Sequence, residues 1–389
     1  MTPNNFHGET AITRMDAELS TNTTRANSTR SPQMKQNIIA HEPCHLNVGW
    51  AQRVIDNRYF NVSVSNVNIV SVDVGTTTRV RLDVQHNGPL SLPRKWFVKL
   101  PSLVWRARLI TALPRLLHTE IRFYNEAAQA LPVAIPGFLA GQSGRGKGAT
   151  LVLRDVTECG ATAGNPGDAL TAAQAILVVK QLARFHAQFW DKPGIAHKYQ
   201  WLAGPVRRLE DRLGTALAVP VMKRGLRLAG ELIPSTLHSP SMLYARNRRR
   251  VMHFLSKGPQ TLVHHDCHSG NLFWGNAQPG LLDWQLVRFG EGISDVAYFL
   301  ATALDPETRR EQEADLLAIY AEELKKRGIA GTDVDSQFQR YRAHLIYPFE
   351  AMVATLAVGG MIRLEANYEL IRRAATAIQD LDTFNALPL

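Results

Sequence analysis

The sequence has little cysteine. Three residues in 389 make no disulfide framework, so a reducing, cytoplasmic setting is the expectation. No apolar run approaches the roughly 18 residues that a membrane-crossing helix needs, so a membrane partner is not expected. The start, MTPNNFHGETAITRMDAELS, lacks the apolar centre of a secretory signal. Aromatic and basic residues do not interleave as in single-strand binders, so the formal charge of +10 is not read as a nucleic-acid footprint. There is no internal repeat. What is present is a hydrophobic fraction of 45%, enough to bury a core, in a length that suits two domains or one two-lobed enzyme.

Residues 1–40 are rich in Thr, Asn, Ser and charge, and are expected to stay disordered because they offer too little apolar surface to offset ordering. Order is expected from LNVGWAQRVID, where Leu46, Trp50, Val54 and Ile55 recur at helical spacing. Strand-like stretches follow at VNIVSVDVG, TTTRVRLDV and KWFVKLP, then a helical LLHTEIRFYNEAAQAL, then two short strands at IPGFLAG and ATLVLRDV. After Asp155 the pattern turns helical. Thr171 and Gln174 have capping-box spacing before AILVVKQLARFHAQFW. Basic helical segments occupy 200–257, with Arg207, Arg208, Arg248, Arg249 and Arg250. NLFWGNAQPGLLDW reads as a hairpin with Pro279-Gly280 in its turn, and 293–384 is mostly helix.

The stretch that concentrates chemistry is LVHHDCHSGNLFW, 262–274. A metal knot of His264, His265, Asp266 and His268 would need four side chains that leave the chain in different directions to converge. A Cys267 nucleophile would need a base and an orienting group that nothing marks. A phosphotransfer reading asks more and finds it. Asp266 and Asn271 have the D-x-x-x-x-N spacing of a kinase catalytic loop, one group to receive a hydroxyl proton and the other to hold a metal ion through an uncharged oxygen. Asp283 supplies a second metal-binding carboxylate, and antiparallel pairing of the hairpin brings it to the same end as Asn271. A near-match to a phosphate loop, GQSGRGKG at 141–148, lacks the final hydroxyl residue and precedes a strand pattern, so it reads as a hairpin turn.

The same chemistry asks for a phosphate-binding lysine on the third strand. Lys99 stands there, with Lys95 on the same face as the reserve. Glu120, or alternatively Glu126, is placed to pair with it. Gly75, Thr76, Thr77 and Thr78 form the turn where phosphate oxygens would be covered. His186, on an apolar helix, reads as packing.

Taken together, LVHHDCHSGNLFW and LLDWQLVRFGEGISDVAYFL resemble the aminoglycoside phosphotransferase and choline kinase superfamily, and within it the ecdysteroid-kinase-like branch, which carries an Asp-Trp-Gln metal motif. The resemblance runs from about residue 46 to the C-terminus. It implies an α+β, two-lobed protein-kinase-like fold, with a small mixed-sheet N-lobe at 41–154 and a larger, mostly helical C-lobe at 155–389. It implies ATP and Mg2+ as cofactors and a small-molecule hydroxyl as acceptor. Asp266 becomes the catalytic base, Asn271 and Asp283 the metal ligands, and Lys99 and Glu120 an ion pair. Residues 151–156, including Leu153 and Asp155, would line adenine, and His264 and Asp295 would brace the catalytic loop. Two positions depart from the family pattern. His265 stands where many relatives have glycine, and Arg154 where an acidic hinge residue is common. The rival of another class is a nucleotide-binding scaffold without transfer. The acceptor's charge stays open, because the arginines of 200–257 suit an anion while Glu350 and Glu365 suit a cation.

Overall fold

A computed structural model describes residues 36–104, 115–144, 146–192, 194–330 and 333–389. The helix α1 (Val48–Asp56) begins where the Asn47 side chain accepts the Trp50 N–H, and its apolar positions Trp50, Val54 and Ile55 are buried. Five strands follow, β1 (Val64–Val74), β2 (Thr77–His86), β3 (Lys95–Pro101), β4 (Phe138–Gly144) and β5 (Gly148–Arg154), with α2 (Leu116–Glu126) between β3 and β4. Their spatial order is β1-β2-β3-β5-β4. Every pairing is antiparallel, so the sheet is not mixed as expected. The reason lies in the β4–β5 hairpin: it folds back so that β5 lies beside β3, and no strand is left parallel to its neighbour. Of the phosphate-loop look-alike at 141–148, residues 141–144 end β4 and Gly148 begins β5, at φ +91, with residue 145 outside the described residues.

Side chains on β3 alternate strictly, and this alternation sorts the lobe. Trp96, Val98 and Leu100 point into a core with Trp50, Val80 and Val152, the two tryptophan rings meeting edge to face at 6.1 Å. Phe97 and Lys99 point the other way, towards α2 and the helical lobe. Burying each large apolar side chain contributes about 1.5–3 kcal/mol before entropy is counted.

The chain is ordered earlier than the sequence suggests. Residues 1–35, most of the segment read as disordered, lie outside the described residues. Within the remainder, Ile38 and Ala40 are buried, the Ile38 N–H donates to Gln142 and the Ala40 N–H to Thr150, and Trp50 Nε1 donates to the Ile38 carbonyl. Two apolar residues with satisfied backbone groups suffice to dock a short segment that composition alone reads as coil.

Past β5 come a short β6 (Thr162–Ala163) and α3 (Ala172–Phe189), whose capping box between Thr171 and Gln174 is present. Two long basic helices, α4 (Pro205–Ala229) and α5 (His238–Leu255), lead to β7 (Thr261–Val263). The hairpin strands β8 (Leu272–Gly275) and β9 (Gln278–Leu281) precede β10 (Arg288–Gly290). Helices α6 (Ile293–Ala303), α7 (Pro306–Lys326), α8 (Val334–His344), α9 (Ile346–Val358) and α10 (Leu364–Asp380) complete the helical lobe. Every residue of α6 is buried, which makes it the centre of that lobe. No helix among the described residues is long and apolar enough to cross a membrane.

Strand β10 pairs with β7, Arg288 opposite Val263, so the chain from 264 to 287 begins and ends at the same place. The hairpin turn inside it is Asn276-Ala277, both at positive φ, and not Pro279-Gly280. Pro279 lies within β9, opposite Trp274. It is tolerated there because β9 is an edge strand and a missing N–H costs little.

Candidate active site

Lys99 is buried, and its ammonium donates to both Glu120 oxygens at 2.8 Å. The same nitrogen lies 3.0 Å from Asp283 Oδ1. One lysine on β3 therefore ties α2 to the segment after β9. Burial pushes the ammonium towards losing its proton, but the charges of Asp283 and Glu120 outweigh it and raise the Lys99 pKa above its ordinary value. Burial, with the nearby Asp283 charge, pushes the Glu120 carboxyl up to about 7 against the pull of Lys99. Asp283 is held below its ordinary range because Lys99 outweighs the effect of its burial. Lys95 pairs across the sheet with Asp83 and is exposed, and Glu126 forms an exposed ion pair with Arg122, so neither reaches this cluster.

Asp283 sits at φ +61, a left-handed backbone that a non-glycine residue holds only when its surroundings fix it. Those surroundings are visible. The Trp284 N–H donates to Glu120 at 3.2 Å. The Trp284 ring stacks on Phe123 of α2 at 4.3 Å and meets Phe185 of α3 edge to face. The tryptophan thus wedges the turn between both lobes and aims the aspartate that precedes it.

The loop 264–271 is held from behind by α6. Asp295, fully buried, accepts the His264 N–H at 2.6 Å and the His265 N–H at 2.7 Å. His186 Nε2 lies 3.2 Å from the same carboxylate and its Nδ1 lies 2.8 Å from the Tyr320 hydroxyl. His186 is therefore part of a buried polar brace as well as packing. His264 Nε2 lies 2.7 Å from the Leu282 carbonyl, fastening the loop to the strand that leads into Asp283. Asn271 donates through Nδ2 to the Asp266 carbonyl and to Asp266 Oδ2, both at 2.9 Å, which leaves its amide oxygen for a cation. The Leu282 N–H donates to the Asn271 carbonyl at 2.8 Å, so Asn271 and Asp283 stand at the same end of the hairpin.

The remaining candidates divide. Of Gly75 to Thr78, only Gly75 and Thr76 form the β1–β2 turn, and Thr77 and Thr78 begin β2, Thr78 opposite Val74. A side chain at Gly75 would lie 3.3 Å from the Met361 carbonyl, so the turn reaches down to the helical lobe. Thr78 is buried and its hydroxyl accepts the Leu103 N–H, while Ser102 donates to the Gly75 carbonyl. Those two contacts fix the turn, and Thr76 and Thr77 keep the hydroxyls nearer its tip. The Leu153 side chain is part of the core. The Asp155 carboxylate accepts from Arg81 at 2.8 Å and caps the turn at Thr157, so it shapes the segment between the lobes. Arg154, one of the two departures, donates to the Ser91 carbonyl.

The competing readings of the loop find no support in its geometry. His268 Nδ1 accepts the Gly270 N–H, and burial lowers its pKa, so the ring is neutral and committed to that turn. Cys267 is fully buried, and burial with the nearby carboxylates of Asp295 and Asp266 raises its pKa, the mark of an inert thiol.

Two residues with roles here escaped the sequence reading. The Tyr298 hydroxyl donates to Asp266 Oδ1 at 2.7 Å. It lies three residues after Asp295 on α6, one turn along the same face, and that spacing was the available signal. Tyr347 stacks on the His265 ring at 3.8 Å and 21°. Nothing in the sequence joins positions so far apart. His265 itself is at φ +70, a conformation that favours glycine. Beside this pair opens a cavity of about 910 Å³, bounded by His265, Tyr347 and the facing sides of α4 and α5.

Oxygen donors dominate the cluster: two carboxylates and an amide oxygen. That set suits a hard divalent cation such as Mg2+ over zinc or copper.

Residues 86–330 match the phosphotransferase enzyme family. No curated protein matches the chain. Among solved structures, the GDP complex of wild-type aminoglycoside 2'-phosphotransferase-IIIa is 12% identical, covering 87% of this chain and 99% of its own, at a TM-score of 0.47. An ethanolamine kinase from Plasmodium vivax is 12% identical, covering 86% and 87%, at 0.46. A choline kinase from Streptococcus pneumoniae is 11% identical, covering 85% and 97%, at 0.45.

Proposed function

Because the chain belongs to the phosphotransferase enzyme family, we propose that it transfers the γ-phosphoryl group of ATP to a hydroxyl of a small molecule, with Mg2+. The observation that carries this reading is the single ammonium of Lys99 between Glu120 at 2.8 Å and Asp283 at 3.0 Å. It is a cation anchored by one lobe and facing the metal-binding carboxylate of the other. Asn271 and Asp283 would hold the metal ion, which when bound neutralises phosphate charge.

The roles of this chain's own groups follow from their surroundings. Asp266 is the acceptor of the substrate's hydroxyl proton. Tyr298 and Asn271 each donate to one of its oxygens and so fix the plane of the carboxylate. Asp295 fixes the backbone that presents it. Lys99 stabilises phosphate oxygens, and Glu120 keeps Lys99 extended across the cleft. The β1–β2 turn at Gly75-Thr76, with Thr77 and Thr78 at the start of β2, covers the phosphates, and residues 151–156 border the nucleotide base. Catalysis of this kind consists mainly of positioning and electrostatics, which agrees with a site built of braces around one carboxylate.

Asp266→Ala tests the assignment. Phosphoryl transfer should be lost while stabilisation by Mg-ATP, read as a thermal shift, is largely retained. Turnover equal to the wild type in that variant contradicts the role given to Asp266. A wild-type protein that gains stability from Mg-ATP yet transfers to no acceptor would instead favour the scaffold reading.

A further inference from the structure

The cavity beside His265 carries a charge that the transfer chemistry does not explain. Its wall holds five arginines against two carboxylates, Asp211 and Glu291. Both carboxylates are engaged. Asp211 lies 3.6 Å from Arg288, and Glu291 accepts from Arg340 at 2.8 Å and lies 3.4 Å from His344. Arg208, Arg212 and Arg249 have no carboxylate partner among the described residues. Arg208 and Arg212 are four residues apart on α4, so they share one face, and Arg249 comes from α5 on the facing wall.

Arg248, beside Arg249, is held rigidly. Its Nε donates to Glu350 at 2.5 Å, Tyr244 donates to the other Glu350 oxygen at 2.8 Å, and Arg248 Nη1 donates to Thr215 at 3.3 Å. Glu350 is thereby used within the protein. Neither it nor Glu365 borders the cavity, so the carboxylates that could have received a cationic acceptor are elsewhere. Like charges gathered on two facing helices repel one another and are relieved by an anion between them.

We propose that the acceptor is itself anionic, a hydroxyl compound carrying a phosphate or carboxylate group. This rests on the phosphotransfer reading above. Arg208, Arg212 and Arg249 hold its charged group, Arg248 is positioned by Glu350 behind them, and the stacked His265 and Tyr347 form the wall past which its hydroxyl reaches Asp266. In the step this serves, the acceptor oxygen bonds to the γ-phosphorus and the bond from that phosphorus to the β–γ bridging oxygen breaks. ADP leaves with that bond's electrons, and the hydroxyl proton passes to Asp266 and then to solvent.

The test separates acceptor charge from catalysis. The full chain, its nucleotide site saturated with a non-hydrolysable ATP analogue and Mg2+, is titrated calorimetrically with orthophosphate, citrate, glycerol 3-phosphate, glycerol and choline. Orthophosphate and citrate distinguish a phosphate from a carboxylate preference. At least one anion should bind, and Arg212→Glu with Arg249→Glu, both exposed positions, should weaken it by about tenfold or more. Binding of choline or glycerol but of no anion overturns the proposal and leaves phosphotransfer standing. Anion binding that is unchanged in the variant, or absent altogether, overturns it as well. Arginine-dependent anion binding in a protein that transfers phosphate to nothing would uphold the arginine site for an anion but remove the phosphotransfer reading, and with it the anion's role as acceptor.

Discussion

Gly164→Ala probes how tightly the loop 264–271 is fitted. Gly164 follows β6, and its N–H donates to the Leu272 carbonyl at 2.9 Å. A Cβ there would stand 2.2 Å from the Ser269 carbonyl oxygen and 3.2 Å from its carbon. Real Cβ contacts essentially never fall under 3.0 Å, and the obstructing atom is backbone that cannot swing aside. The gap from 2.2 to 3.0 Å obliges β6 or the turn Ser269–Asn271 to retreat by about 0.8 Å in a close-packed interior. That turn carries Asn271, whose amide holds Asp266. A misplacement of about 1 Å costs on the order of 100-fold in rate, so kcat should fall roughly 10- to 100-fold. Overpacking should also cost about 1–3 kcal/mol of stability. The assay is ADP release with acceptor present, read beside a urea denaturation curve, and KM for ATP should change less than kcat because Lys99 and Glu120 are on other elements. Gly160→Ala is the control. Its φ is +72 and nothing lies within 4 Å, so it should lose about 1–2 kcal/mol of stability through left-handed strain and keep its turnover. Wild-type kcat in Gly164→Ala, or an equal loss in Gly160→Ala, would refute the reasoning.

Two further outcomes are expected. Lys99→Met leaves the buried Glu120 without its cation and should cost about 3 kcal/mol in urea denaturation, along with turnover. Adding Glu120→Gln should restore part of the stability, Asp283 still lacking its cation, but not activity, and a double variant as unstable as the single one would contradict the Lys99–Glu120 pairing. Glu291 is held below its ordinary 4.5, where burial alone would raise it, because His344 and Arg340 bond to its charged form. Its contribution to stability is therefore complete above about pH 4.5 and is lost as pH falls through the depressed value. The melting temperature of Glu291→Gln should lie below the wild type at neutral pH and converge with it in acid. Parallel curves would count against the ion pair.

Much of the site was legible because its signals are local. The spacing from Asp266 to Asn271 places both on one loop, and the alternation on β3 separates Lys99 from Trp96 and Val98. The capping box at Thr171 and Gln174 needs only four residues to be recognised. The misread turn has an equally local cause. Pro-Gly is a stronger turn signal than Asn-Ala, but strand pairing fixed Pro279 opposite Trp274 and left Asn276 and Ala277 to take positive φ. The sheet read as mixed failed for a non-local reason, since which strand lies beside β3 depends on how the hairpin folds back. Tyr298 was half legible through its helical spacing from Asp295.

By itself, the sequence determined which groups the proposed chemistry would use: a carboxylate, Asp266, an amide and a second carboxylate, Asn271 and Asp283, and a lysine, Lys99, in an order that also marks the family. Periodicity and short-range spacing carry that information because they act within one element. Only the tertiary structure decided what surrounds those groups. It chose Lys99 and Glu120 over Lys95 and Glu126 by burial, and used His186 and Tyr298 as braces. It stacked His265 on Tyr347 and set the arginines of α4 and α5 around one cavity. Those choices depend on contacts between residues far apart in the chain, and packing alone determines which of them meet.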